Sequence, residues 1–547
     1  MPSPSPWAAP AARALVASDR TPLRAAPREG AGVHAELTQG DLLEVRGQRL
    51  DHLHVYDHRR ERAGFVRAEA VRRLPPAAAT PSTVHSTSSS SPFSLPSSSP
   101  SSSRAAPAGA AEAQELLSLL RFLRHAPGQE ALGIAYAAAY LQAASAERID
   151  AEPFDALGVM AERLGRRASR GRPGDATSAQ VEAVAAYGVR FATLEREGRM
   201  QLCYDGEAFR RVLALKPTSA EQARAILALT RHDCVDPQLP PTARIALDAW
   251  RADLLDLPWP RGYNDLPQLT KNRLHLRRAG LWAARAHQQA RQGRPAQAAA
   301  ERAIAELAAV NKGEFTDDDQ PEYAEAAIRV GAARWAAVGQ DALARASAVG
   351  LRLVNVTGSE PGQTCVQLLA AESAPPGRRA QGPHLLAERC TFGTVWMPSL
   401  AMRPGGDALV LAVQPLEGWT ELWLFRAESA VAPEAAAGAV VAEGTARTAG
   451  VAAVATRERM PWRIDVLPPA PSAPGLGYIE FAGWAPGPQP RLLVARESRI
   501  DGRFHRRFEV LALDTLDAVK QASSPQLLSA FEQFSDAQWR RRTVALR

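Results

Sequence analysis

The chain has 547 residues, enough for several domains, and its 46% hydrophobic content excludes wholesale disorder. Its formal charge of +7 comes almost wholly from arginine, because Lys216, Lys271, Lys312 and Lys520 are the only lysines. Those arginines are interspersed with glutamates and form one run of three, Arg540–Arg541–Arg542, so the basic face of a nucleic-acid binder is missing and no nucleic-acid partner is expected.

Residues 1–17 carry early prolines and no basic residue before Arg13, unlike a secretory leader. No stretch of about 18 apolar residues follows, so no membrane span is expected. Residues 14–74 read as short strands broken by turns at 27–32, 40–41 and 59–64. His52 and His54 alternate onto one strand face, with His34 and His58 nearby. No acidic or cysteine partner completes a metal site at a fitting spacing, so solvent-face histidines are the reading.

The order TPLRAAP, TQGDLLEV, LDHLHVYDHRRERAGFV and AEAVRRL resembles a bacterial Src-homology-3-like domain. Gly40–Asp41 opens a strand as in that family, and Gly64–Phe65–Val66 stands where the family has Gly, an aromatic and Val. The resemblance implies a small barrel that contacts peptidoglycan or peptides at the cell envelope. It makes Tyr56 and Phe65, the aromatics of this segment, the binding candidates.

Residues 75–110 collapse to Ser, Pro and Ala, from which no core forms. Such a coil spans about 30–35 Å and reads as a disordered tether, or as a passive spacer. Residues 111–346 are helical: Leu116, Leu117, Leu120 and Leu123 recur at helical spacing. Further helices are expected over 131–144, 153–167, 178–197, 207–215, 219–230 and 241–255, with two more helical stretches over 272–307 and 321–337. Ser219 and Gln222 are read as a capping pair.

The run from Ala279 to Leu307, with small Ala286, Ala290, Ala299 and Ala303 and a turn at Gly293, resembles a tetratricopeptide repeat. That resemblance implies a repeat-like helical platform for a protein or peptide, without a regular period across the block. Asp317–Asp318–Asp319 lacks the alternate ligand spacing of a calcium loop and reads as a solvated helix start.

Residues 351–516 read as strands with Pro/Gly turns. An echo links Pro404–Gly405–Gly406 and its two strands to Pro486–Gly487 and its two strands, about 82 residues on. Each copy resembles the TolB-type propeller repeats of bacterial envelope proteins, which implies a propeller-like domain; an open two-sheet domain is the alternative. Trp419 and Trp423 are its binding candidates, against the commoner role of core packing. Residues 524–540 read as an amphipathic C-terminal helix.

The four cysteines fall into two local pairs, Cys203 with Cys234 and Cys365 with Cys390. They read either as two disulfides of an oxidising compartment or as four free thiols of a cytoplasmic protein. No metal, cofactor or catalytic motif is recognisable. His232, Asp233 and Cys234 are too close in sequence for a thiolate and its base, and Asp205 with Glu207 makes no carboxylate pair. The chain is therefore expected to be multidomain: a small all-β barrel, a linker, an all-α repeat-like domain and an all-β domain. A non-catalytic envelope scaffold that contacts protein or peptidoglycan is the expectation. The alternative is a cell-wall hydrolase with its site between the helical and β domains.

Overall fold

The computed structural model describes residues 12–74, 108–171, 175–196, 198–259, 262–316, 319–338, 351–370, 384–428, 461–471 and 474–542. The chain divides into two compact units, residues 1–241 with 254–266, and residues 242–253 with 267–547. The division falls inside the helical block, so its helices are shared between the units.

In the first unit, strands β1 (Ala12–Val16), β2 (Thr21–Arg24), β3 (Val33–Leu37), β4 (Leu42–Arg49), β5 (His52–Asp57), β6 (Arg62–Arg67) and β7 (Val71–Leu74) form one antiparallel sheet. Its order is β3-β2-β6-β5-β4-β1-β7. This is an open path among the described residues, not the closed barrel expected. Alternation sets its faces: Leu53 and Val55 of β5 join Leu23, Leu43 and Val66 in the core, while His54 and Tyr56 point away.

The other face of this sheet does not hang on the linker alone. Leu15 and Leu74 share a core with helices α1 (Ala108–Leu123), α2 (Glu130–Ala143) and α3 (Glu152–Arg170). Gly40, at φ 87°, sits where a Cβ would lie 2.9 Å from the Ala131 carbonyl oxygen, so the sheet-to-helix approach requires glycine there. Most of the expected linker lies outside the described residues.

The helix expected over 178–197 is corrected. Helix α4 (Ala176–Ala185) ends, Gly188 turns at φ 77°, and a hairpin of β8 (Phe191–Arg196) and β9 (Arg199–Tyr204) follows. Helices α5 (Glu207–Ala214) and α6 (Ser219–Leu229) complete the unit with the ends of α7 (Pro241–Leu255). The cap of α6 lies one residue before the expected pair: Thr218 and Glu221 form the capping box. Gln222 instead donates to the Pro258 carbonyl at 3.0 Å.

The second unit builds on the long helix α8 (Gln268–Arg291), which pairs with α9 (Gln297–Ala308) across the Gly293 turn and packs on α10 (Asp319–Ala333). Ala279, Ala283 and Ala286 meet Ala299, Ala300 and Ala303 in a core that continues into the sheet through Tyr478, Leu493 and Phe508.

Strands β10 (Leu351–Thr357), β11 (Thr364–Ala370) and β12 (His384–Thr391) form a three-stranded sheet. An eight-stranded sheet contains two antiparallel meanders. The first is β13 (Thr394–Met402), β14 (Ala408–Leu416), β15 (Trp419–Ala427) and β16 (Trp462–Leu467). The second is β17 (Gly477–Ala485), β18 (Arg491–Ile500), β19 (Arg503–Ala512) and β20 (Ala518–Ala522). The echo in the sequence marks their equivalent middle hairpins, β14–β15 and β18–β19.

The described strands form no propeller, because the start of β15, at Trp419 and Thr420, pairs in parallel with β17 and joins the two meanders into one sheet. Strand β13 escaped the sequence reading because its register shifts between Trp396 and Ala401, around Pro398. Strand β17 escaped it because glycines 477 and 483 interrupt its alternation. The single C-terminal helix expected is split into α11 (Ser529–Phe534) and α12 (Ala537–Arg542), which place Phe531 and Trp539 in the core.

Candidate functional site

Where β4 and β5 face α4 in the first unit, a cleft of about 420 Å³ opens. Leu42, Leu43, Ala183 and Ala186 give it apolar walls, and charges of both signs surround them: Arg13, Asp41, Glu44, Asp57, His58 and Arg59. The β4–β5 register places Glu44 opposite Tyr56.

Its acids are held in place. Asp41 and Asp57 are 4% and 1% exposed. Asp41 accepts from the Thr38 backbone N–H at 2.8 Å, from Arg60 at 2.7 Å and from Arg59 at 3.2 Å. Asp57 accepts from Arg60 at 2.8 Å and from the Arg59 backbone N–H at 2.9 Å. Burial works against the Arg60 charge, but the hydrogen bonds it donates to Asp57 and Asp41 outweigh that and raise its pKa. Hydrogen bonds from Arg46 and then His58, the latter at 2.6 Å, lower the pKa of Glu44. Beneath the cleft, Tyr187 donates to the Gly40 carbonyl at 2.6 Å, and burial pushes its phenol pKa up.

The expected binding aromatics divide. Tyr56 lies beside the cleft, half-buried, with the Arg46 guanidinium 4.0 Å above its ring and His58 edge-on at 4.8 Å. Phe65 stacks on His54 at 4.9 Å, on the same outer face one pair further along. Trp419 and Trp423 are each 2% exposed and pack in the core, so they are not surface contacts. Their strand β15 is central in its sheet and buried along nearly its whole length.

Cys203–Cys234 and Cys365–Cys390 stand at bonding distance as two disulfides, the second between residues directly opposite on β11 and β12. Cys234 is therefore no free nucleophile, and Asp233 pairs with Arg231. Asp205 receives the Glu207 backbone N–H at the start of α5, and Glu207 pairs with Arg210 and Arg211. The histidines of this segment do not converge: His52 is buried at 2% exposure, in place of the solvent face expected, with Nδ1 2.7 Å from Asp51, whereas His58, just past β5, meets Glu44. Asp317 and Asp318 lie outside the described residues. Asp319 is buried and bound by Arg273 at 2.7 Å, a structural anchor in place of the solvated role expected.

The second unit holds a buried polar cluster where helices meet strands. Asp248 of α7 accepts from Gln288 at 2.7 Å and lies 3.3 Å from Arg244 and 3.5 Å from Arg251. Glu417 of the β14–β15 turn pairs with Arg329 at 2.8 Å and Arg244 at 3.5 Å. Burial lowers the pKa of the adjacent His287 to about 4. Each of these carboxylates is already bound by a guanidinium, as in a structural ion-pair network.

Sequence reading flagged the Gly40–Asp41 turn and His58 but missed the cleft itself. Its far wall comes from α4, more than a hundred residues away, and no local pattern announces that contact. Comparison of the chain with protein-family models, curated proteins and solved structures gives no significant match, so no family is assigned to it.

Proposed function

We propose that the protein is a non-catalytic binding or scaffold protein of the cell envelope, whose first-unit cleft takes a short zwitterionic peptide such as a peptidoglycan stem. The observation that carries this reading is the apolar-walled cleft bordered by fixed charges of both signs. Alanine and leucine walls accept small side chains, while Arg13 and Glu44 offer one charge each to a carboxylate and an ammonium group. The Src-homology-3-like resemblance of residues 14–74 and the tetratricopeptide-like resemblance of 279–307 point to contact with peptides. Two paired disulfides suit an oxidising compartment such as the periplasm, a cytoplasmic location being the alternative.

Calorimetric titration of the full chain with a stem tripeptide tests the proposal. Saturable binding that Ala186→Trp abolishes by filling the cleft supports it. Absence of binding, or binding indifferent to Ala186→Trp, overturns it.

The alternative of a cell-wall hydrolase draws on His287 and Asp248 at the helix–strand junction. It is the weaker reading, because Asp248 is engaged by Arg244, Arg251 and Gln288 and burial disfavours protonation of His287.

A further inference from the structure

Strands β18 and β19 place two arginines directly opposite each other, Arg496 and Arg507, and beside them Ser498 opposite His505. Directly opposed residues of an antiparallel pair share a face, and like charges so placed repel. On that face lies a cleft of about 180 Å³ lined by these four residues and Glu509, with Pro469–Ala470–Pro471 as its wall.

The charges there do not balance. Arg496 donates to Glu509 at 2.8 Å and also binds the Pro468 carbonyl, so Glu509 is consumed by one of the two arginines. Arg507 is exposed and has no carboxylate within ion-pair distance among the described residues. The opposite face of the same hairpin is handled differently: there Glu497 stands across from Arg506 and pairs with it at 3.1 Å. A local conflict that the neighbouring register avoids is the pattern expected of a binding position. Proline gives the wall no backbone N–H at 469 and 471, so the side-chain donors available to an occupant are those of the arginines, His505 and Ser498.

We propose that this cleft binds a small phosphoryl anion, either free phosphate or a phosphate monoester. Arg507 is its principal ligand, with Ser498 and His505 donating beside it. Guanidinium geometry matches the paired oxygens of a phosphate, and the cleft's size limits the occupant to a small group. The site lies in the second unit and is independent of the peptide cleft.

The test is calorimetric titration of the full chain at low ionic strength with inorganic phosphate, glycerol 3-phosphate and acetate. Single-site binding of phosphate or its ester that weakens about tenfold or more in Arg507→Ala, but not in Arg352→Ala, supports the proposal. Arg352 is an exposed arginine of β10, so its removal changes the net charge equally without touching the cleft. The preferred phosphate probe tells a free anion from an ester, and either preference supports a phosphoryl site. No saturable binding, equal loss in both variants, or acetate binding as tightly as phosphate overturns it. Arg507 is exposed, and an unchanged melting temperature in Arg507→Ala verifies that the fold is intact.

Discussion

The Trp539 indole donates its N–H to Glu480 Oε1 at 2.5 Å, across 59 residues of chain. Glu480 is fully buried and also meets Arg334 and the Tyr478 hydroxyl, so the C-terminal segment closes over a buried charge. The Trp539 ring packs edge-on to Phe531 and Phe508 at 5.7 and 6.4 Å. Trp539→Ala is expected to destabilise the second unit by about 3–5 kcal/mol, because a buried ring and a charge-bound donor are lost together. Urea unfolding followed by circular dichroism measures it, and Trp539→Phe should recover part of the loss.

Two buried groups set opposite pH slopes in the same unit. Burial raises the Glu497 pKa to about 7, against Arg506, whose charge and hydrogen bond pull it down. The folded state then holds a proton that the unfolded chain has released, so stability falls as pH rises from about 4.5 to 7. The His287 pKa is lowered to about 4, so the folded state lacks a proton that the unfolded chain binds. Stability from that source is present above about pH 6.5 and is lost as pH falls toward 4. Each effect is on the order of 3 kcal/mol by linkage. Glu497→Gln should therefore leave a profile that rises from pH 4.5 to 6.5, and His287→Gln one that falls, measured as urea midpoints across that window.

Arg60 holds Asp41 and Asp57, the two buried carboxylates beside the first-unit cleft. Arg60→Ala leaves Asp57 without its guanidinium and is expected to cost about 3–5 kcal/mol, as broken buried pairs do. Arg46→Ala removes a partner from the solvent-accessible Glu44 and should leave the denaturation midpoint nearly unchanged. Denaturation midpoints of the two variants separate these outcomes.

The disulfides give a compartment test. Protein purified from its native host, alkylated under denaturing and non-reducing conditions, is expected to show no free thiol and the pairs Cys203–Cys234 and Cys365–Cys390. Four free thiols would sink the envelope reading. Replacing Cys203 and Cys234 by serine should cost about 3–4 kcal/mol, the loop-closure value for a separation of 31 residues.

Local pattern carried much of the secondary structure. Helix α7 begins and ends at the residues expected from the sequence, and the strands of both middle hairpins, β14–β15 and β18–β19, were legible from apolar runs between Pro/Gly turns. The sequence also showed the local spacing of the cysteines that the disulfides join. It failed where glycine or proline interrupts a period, as in β13 and β17. It failed again after α4, where Gly188 diverts an apparent helix into a hairpin.

The two sites needed tertiary structure. Asp41 meets Arg60 because β4 and β5 pair, and the first-unit cleft exists only because α4 lies against those strands. Arg507 reads as one of many arginines until register puts it opposite Arg496. Periodicity reports which face of an element is apolar, and so the sequence by itself determined those elements, and their buried faces, whose period runs uninterrupted. Which faces meet depends on contacts between distant residues, and these leave no spacing in the chain. The folding of the strands and helices therefore decided where unlike charges are satisfied and where like charges are left facing each other.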